Sequence, residues 1–259
     1  MGVEYLYGRR PVVESLRAGR RAIRRIIFAE GIEEAQTVEE IRAEARARGV
    51  PIDMARRVWL DARAQGANHQ GVLLEAGPYP YAELEDALAA AEVRGESPFL
   101  LLLDLLQDVQ NIGTLLRTAE AVGVHGVVLQ ERRAAGITPA VVSASSGAVE
   151  HLNVAQVVNL AQAMERLKAH GVWLAGLDLG ADAIRFDQAD LRGALGLVVG
   201  SEGAGLRRLV RERCDFTIYL PMRGQVASLN AATAGSVALY AAWQARGFKG
   251  ARESQAAKG

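Results

Sequence analysis

The sequence contains one cysteine, Cys214, and lacks any long apolar run. A single cysteine cannot form an intramolecular disulfide, which favours a reducing compartment. A membrane-spanning helix requires about 20 consecutive apolar residues, and the start of the chain lacks the charged and apolar segments of a signal peptide. We therefore predict a cytoplasmic protein that does not associate with a membrane.

Several signatures of catalysis are also missing. The four histidines, at positions 69, 125, 151 and 170, have no metal-ligand spacing with one another or with Cys214, so we predict no metal site. Neither a phosphate-binding P-loop nor the G-x-S-x-G motif of serine hydrolases occurs. Cys214 continues the apolar positions of the helix predicted before it, which favours packing in the core over a nucleophilic role.

The formal net charge is zero, but the charges are unevenly distributed. Residues 1–30 contain seven arginines and three glutamates, a local excess of positive charge. Two interpretations remain open at this stage. The arginines either belong to solvated helix faces or form a surface for an anionic partner.

The order of sequence patterns predicts an α/β chain with two structured units. Residues 1–76 alternate short helical and strand-like segments. Residues 77–97 begin with glycine and two prolines and enclose one acidic helix, which is typical of a linker. In residues 98–248, six short apolar strands alternate with helices, which predicts a mostly parallel sheet covered on both faces. The polar residues 249–259 are predicted to form a flexible tail.

Ligands of parallel α/β sheets bind beyond the carboxyl ends of the strands. Three loops of this chain meet that condition, after Leu103, Val199 and Leu220. Each combines polar and small residues next to an apolar strand. We therefore expect the functional site where these loops meet.

In the first of these loops, Asn111 and Arg117 lie six residues apart near the start of an apolar helix. Asn111 is either the N-cap of that helix or a functional side chain. Arg117 stands among Leu115, Leu116 and Ala119. We therefore expect a largely buried guanidinium, which needs a carboxylate or phosphate partner.

The second loop, VVGSEGAGL, places three glycines around Glu202. Its order, G-x-x-G-x-G, differs from the dinucleotide-binding fingerprint, but the glycines still predict a close approach to the backbone. Glu202 would repel a phosphate, so we expect a neutral or cationic ligand group nearby. In the third loop, Ser228 is placed to cap the last helix and Asn230 falls in its first turn. The small residues that follow predict an intimate contact with another element or a second copy of the chain.

Together the three loops resemble the motifs of the SpoU (TrmH-type) family of RNA ribose 2′-O-methyltransferases. The motifs are N-x-G-x-x-x-R in NIGTLLRTA, G-x-E-x-x-G in VVGSEGAGL and P-M-x-G-x-x-x-S-L-N in LPMRGQVASLNAATA, in family order. The segments YGRRPVVESLRAGRRAIRRI and ANHQGVLLEA resemble the L30e-like RNA-binding domain of the RlmB-type subgroup, which modifies large-subunit ribosomal RNA.

The resemblance implies a fold, a cofactor and partners. The expected fold is an L30e-like RNA substrate-binding domain over residues 1–76, followed by a SPOUT-type α/β methyltransferase domain over residues 98–248 with a carboxy-terminal trefoil knot. The expected methyl donor is S-adenosylmethionine. The expected substrate is the ribose of a guanosine in large-subunit ribosomal RNA. The expected assembly is a homodimer.

The motifs also imply roles for individual residues. The catalytic set would be Asn111, Arg117, Glu202, Ser228 and Asn230. The S-adenosylmethionine site would be lined by Gly200, Leu220 and Leu229, and RNA would be contacted by Arg9, Arg10, Arg20 and Arg21. One departure concerns the first motif, because relatives often carry Asp-Pro where this chain has Asp108 followed by Val109. We expect the loop there to differ in shape.

Two other functions remain open. A transfer-RNA ribose methyltransferase of the same family would share the catalytic motifs, although the simplest such relatives lack the amino-terminal domain. A binding protein with this fold would hold RNA or S-adenosylmethionine without catalysis. The complete set of five polar residues argues against the second alternative.

Overall fold

Two β-sheets organise the chain, one of four strands and one of seven. The computed structural model describes residues 2–132, 134–226 and 228–252. The part of the predicted tail from residue 253 onward lies outside the described residues. Among the described helices, none is long and apolar enough to cross a membrane.

The amino-terminal sheet has the strand order β1-β4-β2-β3. Strand β4 pairs antiparallel with β1 and β2, and β3 pairs parallel with β2. The strands are β1 (Glu4–Tyr7), β2 (Ile23–Ala29), β3 (Ile52–Ala55) and β4 (Val72–Ala76). The helices between them are α1 (Arg9–Ala18), α2 (Gln36–Arg48) and α3 (Arg57–Ala64).

Side chains of this sheet alternate between two covered faces, as the period of a β-strand requires. One face buries Leu6, Phe28 and Leu74 in the same core as α1 and α2. The other face buries Ile27 and Leu73 beneath α3. The eight residues of α3 cover only part of that second face.

The larger sheet has the order β7-β6-β5-β10-β8-β11-β9, and every neighbouring pair is parallel. Its strands are β5 (Phe99–Asp104), β6 (Gly126–Gln130), β7 (Val154–Val157), β8 (Trp173–Leu177), β9 (Ile184–Arg185), β10 (Leu195–Gly200) and β11 (Phe216–Tyr219). The helices are α4 (Leu84–Arg94), α5 (Val109–Ala121), α6 (Pro139–Ala144), α7 (Leu160–Ala169), α8 (Arg208–Arg213) and α9 (Ala231–Ala245), with a 3₁₀ turn at Ala148–His151.

The predicted mostly parallel α/β sheet is confirmed, but the predicted number of six strands is wrong. The seventh strand, β9, has two residues and pairs with Ile218 and Tyr219 of β11 at the sheet edge. It lies in a polar segment without an apolar run. Its strand geometry depends on the neighbouring strand, so no local pattern indicated it.

Helices cover both faces of the parallel sheet. Helices α5 and α9 pack on one face, and α4, α7 and α8 pack on the other. The expected intimate contact of the alanine-rich helix occurs within the chain, where a Cβ on Gly235 would lie 2.6 Å from Leu115 Cδ2. A residue larger than glycine at position 235 would therefore require the Leu115 side chain to move.

A cluster of buried polar side chains joins the two units. Arg21 Nε donates to both carboxylate oxygens of Glu150, at 2.9 and 3.0 Å, and Arg21 Nη1 donates to Glu4 Oε2 at 2.7 Å. The Tyr79 hydroxyl donates to the carbonyl of Leu152 at 2.7 Å. We call these five residues the domain-interface cluster. Because Tyr79 is buried, the predicted linker is fixed to both units at this point.

This cluster corrects one predicted RNA contact. The side chains of Arg21 and Glu150 are both completely buried, so the Arg21 guanidinium has no surface that a phosphate could reach. The prediction that Arg21 contacts RNA is therefore wrong. Arg20 also faces the interface, where Nη1 donates to the Leu152 carbonyl. Arg10 is exposed and Arg9 half-buried, and their contact with RNA stays a prediction.

The domain-interface cluster predicts a large loss of stability when one charge is removed. Glu150→Ala leaves the buried Arg21 without its main partner, and breaking a buried pair in this way costs about 3–5 kcal/mol. The matched control is Glu165→Ala, which removes an exposed pair with Arg213 and costs about 0–1 kcal/mol. Urea unfolding measures both free energies. Equal losses in the two variants would contradict the role given to the cluster.

Candidate active site

The side chain of Asn230 connects the three loops at the carboxyl edge of the parallel sheet. Its Nδ2 donates to Asn111 Oδ1 and to Glu202 Oε1, both at 3.0 Å. Its Oδ1 accepts from the backbone N–H groups of Ala232 and Thr233, at 2.8 and 3.2 Å. Both hydrogens and both lone pairs of the amide are therefore occupied.

These bonds identify the residues that cap α9 and α5. Asn230 is the N-cap of α9, so the prediction that Ser228 caps this helix is wrong. Asp108 is the N-cap of α5, where its carboxylate accepts from the Asn111 N–H at 2.8 Å. Asn111 is therefore not a cap, and its side chain is available for the contact with Asn230.

The loop before α5 holds a leucine in an unfavourable conformation. Leu105 has φ of 56°, in the left-handed region that favours glycine. This residue turns the chain between β5 and the helix start. Val109 takes the first helical position, which is the place that proline prefers, so the departure from Asp-Pro leaves the cap by Asp108 intact.

The loop that carries Glu202 is folded tightly onto itself. Ser201 and Gly205 exchange backbone hydrogen bonds at 3.1 and 3.0 Å. A Cβ on Gly200 would lie 2.3 Å from the carbonyl carbon and oxygen of Gly205. The predicted close backbone approach at these glycines therefore occurs within the loop itself.

A cluster that the sequence analysis missed fixes this loop to the sheet. Asp104, buried at the end of β5, accepts from Arg207 N at 2.9 Å and from Arg207 Nε at 2.7 Å. Arg207 Nη2 also donates to Gln130 Oε1 at 2.7 Å, at the end of β6. The sequence feature that could have indicated this cluster is Asp104, a charged residue at the end of an apolar strand. Its partner lies 103 residues further along the chain, beyond the reach of local patterns.

A cavity of about 570 Å³ opens beside Asn230, and we call it the loop cavity. Predicted site residues that line it are Gly200, Glu202, Leu220, Ser228, Leu229 and Asn230. Apolar walls come from the strand ends, with Leu177, Val199 and Ile218 among them. The charged lining residues described there are Asp178 and Glu202, both acidic. This charge fits the expected neutral or cationic ligand group.

Arg117 does not join the other predicted site residues in this chain. It is exposed on α5, is absent from the described lining of the loop cavity, and donates from Nη1 to Ser146 Oγ at 3.3 Å. The prediction that Arg117 is largely buried is therefore wrong. Six residues correspond to about 240° of rotation around a helix, so Arg117 and Asn111 project in different directions.

Cys214 lies at the end of α8 and is not part of the site. Its Sγ donates to the Val210 carbonyl at 3.4 Å, and Val210 belongs to the core that Cys214 packs against. Burial raises the pKa of the Cys214 thiol to about 12. These contacts agree with the predicted packing role.

The raised pKa of Cys214 predicts slow alkylation. At pH 8 a thiol with this pKa is almost entirely protonated, whereas an unperturbed cysteine with a pKa of about 8.5 is partly ionised. We expect iodoacetamide to modify the native protein at least about 100-fold more slowly than the urea-unfolded chain. Similar rates for native and unfolded protein would show that the thiol is not held in the core.

Two segments of the chain match known protein families. Residues 98–240 match the SpoU rRNA methylase family, and residues 5–82 match a family described as RNA 2′-O ribose methyltransferase substrate binding. A protein of Bacillus subtilis (strain 168) assigned to the TrmH family of tRNA/rRNA methyltransferases is 43% identical over 94% of this chain and 96% of its own length.

Two solved structures are also similar. The SpoU methyltransferase AviRb of Streptomyces viridochromogenes, in complex with AdoMet, has a TM-score of 0.76 and 25% identity, covering 95% of this chain and 91% of that chain. The TrmH/SpoU tRNA modifying enzyme of A. aeolicus has a TM-score of 0.54 and 26% identity, covering 64% of this chain and 86% of that chain. The family expected from the motifs is confirmed, and this chain belongs to the SpoU family of RNA methyltransferases.

Proposed function

We propose that this protein transfers a methyl group from S-adenosylmethionine to the ribose 2′-hydroxyl of a guanosine in large-subunit ribosomal RNA. The observation that carries the proposal is the connection of three polar loops by Asn230 beside the loop cavity. S-Adenosylmethionine would supply the methyl group: the 2′-oxygen would bond to the methyl carbon, neutral S-adenosylhomocysteine would leave, and the hydroxyl proton would pass to water. Alignment of the reacting atoms supplies much of the acceleration in such a transfer.

The loop cavity fits the proposed cofactor. Its volume of about 570 Å³ lies within the range of small-molecule sites, about 300–1,000 Å³. Apolar side chains from three strand ends suit an adenine ring, and the acidic residues Asp178 and Glu202 suit a cation. S-Adenosylmethionine supplies an electrophilic methyl group on a positively charged sulfur. Gly200, Leu220 and Leu229 would hold it through backbone groups and apolar contact.

We infer a different role for each polar residue, and their hydrogen bonds support the inference. Asn230 makes every hydrogen bond that its amide allows, so it acts as a positioning residue that holds Asn111 and Glu202. Asn111 uses its oxygen for Asn230, which leaves its amide hydrogens for the ribose. Ser228 lies at the cavity wall and would orient the hydroxyl.

We assign Arg117 to the RNA rather than to the cofactor. A guanidinium is always protonated in proteins and is therefore a poor base. Arg117 is exposed, and among the described residues its guanidinium donates to Ser146 Oγ at 3.3 Å, so its charge is available to a phosphate next to the target ribose. Its positive charge would also favour the oxyanion that develops on the ribose.

We propose a homodimer and a trefoil knot, both of which the resemblance implies. A homodimer would bury the apolar residues that α9 and the segment after it leave exposed, namely Val237, Tyr240 and Phe248. A trefoil knot is supported by β10, which follows β8 and β9 in the chain yet lies between β5 and β8 in the sheet. We also propose that the amino-terminal unit is L30e-like and that the protein is cytoplasmic.

The choice of ribosomal RNA over transfer RNA rests on the amino-terminal unit. Residues 5–82 match a family described as a substrate-binding unit, whereas the tRNA modifying enzyme of A. aeolicus matches only 64% of this chain. A tRNA ribose methyltransferase remains the alternative, and a protein that binds RNA without catalysis is the second.

The test is incubation of the protein with tritiated S-adenosylmethionine and separate samples of unmodified large-subunit RNA, small-subunit RNA and bulk tRNA. We expect label in large-subunit RNA, on a guanosine 2′-oxygen when the site is mapped. Label confined to tRNA would show that the ribosomal assignment is wrong. Bound cofactor without label in any RNA would favour the non-catalytic alternative.

The role of Arg117 predicts a specific kinetic defect. Arg117→Ala should lower the single-turnover rate of methyl transfer by more than tenfold, about 1.4 kcal/mol in the barrier, because a charge near the developing oxyanion is lost. Binding of S-adenosylmethionine should not change. Arg208→Ala is the matched control, since Arg208 is exposed on α8 and does not line the loop cavity. A rate within tenfold of wild type would rule out the proposed role.

A further inference from the structure

The amino-terminal sheet leaves part of its second face open beyond the end of α3. On this face Tyr5 and Arg25 flank Glu75 in directly paired strand positions. Arg25 donates from Nε to Glu75 Oε2 and from Nη1 to Asp53 Oδ2, both at 2.8 Å. The open part of the face is therefore a row of polar groups next to the buried Ile27.

A cavity of about 530 Å³ lies between this row and α3. We call it the Trp59 pocket, after the aromatic side chain in its wall. Its lining includes Arg25, Asp53, Met54, Trp59 and Arg63. It is far along the chain from every motif of the methyltransferase site, and no part of the proposed reaction uses it.

The aromatic wall of the pocket is held in a fixed orientation. The guanidinium carbon of Arg63 lies 4.1 Å from the centre of the Trp59 ring, one helical turn along α3. The Tyr5 ring meets Trp59 edge-on, with ring centres 6.1 Å apart and an angle of 87° between the planes. Stacked arginine and indole groups present a flat cationic surface, which is a common platform for nucleic-acid bases.

Charge around the pocket favours an anionic ligand. Arg56, Arg57 and Arg63 are exposed, and none of them forms a salt bridge with any residue that the structure describes. Of the nearby acids, Asp53 and Glu75 share Arg25, and Asp61 Oδ1 lies 2.9 Å from His69 Nε2. Arg63 lines the pocket beside Trp59, and Arg56 and Arg57 lie at the start of the same helix, α3.

We propose that the Trp59 pocket binds an unpaired nucleotide of the RNA substrate, away from the ribose that is methylated. The base would stack on the Trp59–Arg63 pair, with Arg25 and Asp53 facing its polar edge and with Arg56 and Arg57 contacting the adjoining phosphates. A base within a duplex has no free face for stacking, so the ligand is a single-stranded segment. The inference rests on the proposed function in taking RNA as the substrate.

The domain-interface cluster would fix the distance between the Trp59 pocket and the methyl-transfer site. The buried contacts of Arg21 and Glu150 fix the amino-terminal unit against the parallel sheet. A nucleotide held in the Trp59 pocket is therefore at a constant separation from Asn230. Binding there would select RNA in which an unpaired segment and the target ribose are spaced to match.

The test measures binding of the full-length protein to large-subunit RNA without cofactor. Removing one base-stacking aromatic costs about tenfold in affinity, so we expect this loss for Trp59→Ala and a loss below about threefold for Trp59→Phe. The matched control is Val58→Ala, which shortens the adjacent exposed side chain and should bind as wild type. Thermal unfolding of each variant identifies any loss that is due to misfolding.

Two further measurements separate this proposal from the proposed function. Single-stranded poly(A) should compete with the RNA better than the poly(A)·poly(U) duplex does, and this preference should be reduced in Trp59→Ala. Methyl transfer by Trp59→Ala should recover at saturating RNA, since the loop cavity is intact. Two results would contradict nucleotide binding in the Trp59 pocket. One is wild-type RNA affinity in Trp59→Ala, and the other is a loss of methyl-transfer rate that saturating RNA does not restore. Failure of wild-type protein to methylate RNA would instead overturn the function.

Discussion

The amide of Asn230 is the interaction on which the site depends. The Asn230 side chain caps α9 and donates hydrogen bonds to Asn111 of α5 and to Glu202 in the glycine-rich loop. These residues come from three separate parts of the sequence, and each belongs to a segment that follows a parallel strand. Because the amide is fully hydrogen-bonded, any displacement of one loop costs a bond to another. The three loops therefore behave as one structure beside the cavity.

Two other groups of contacts keep that structure in place. Asp104 and Arg207 attach the glycine-rich loop to β5, and the contact of Gly200 with Gly205 keeps the loop narrow. Arg21 and Glu150 attach the amino-terminal unit to the parallel-sheet unit. An RNA that binds both units thus meets surfaces with a fixed relative orientation, as specificity for a folded RNA requires.

Much of this architecture could be predicted from the sequence. Strands such as FLLLLD and LGLVVG are apolar runs that are recognisable wherever they occur, and the three motifs identified the loops that meet. The helical period of α5 also contains the information that Arg117 is exposed. Buried positions Ile112, Leu115, Leu116 and Ala119 define one face of α5, and position 117 lies off that face. The expectation of a buried Arg117 overlooked this period.

The features that could not be predicted depend on distant partners. Arg21 belongs to an arginine-rich segment, and its burial depends on Glu150, which lies 129 residues away. Ser228 and Asn230 are both good helix caps, and the contacts of Asn230 with Asn111 and Glu202 decide between them. The two-residue strand β9 exists because β11 lies beside it. In each case the local sequence allows several structures, and a tertiary contact selects one.

The most direct test of this account is a crystal structure of the protein grown with S-adenosylmethionine. We predict cofactor density in the loop cavity, against Gly200, Leu220 and Leu229 and next to the Asn230 amide. Another cavity, of about 700 Å³, lies at the amino end of β5, near Phe99, Trp243 and Arg246. Cofactor density there, with the loop cavity empty, would contradict the assignment of Asn230 and its partners to the active site.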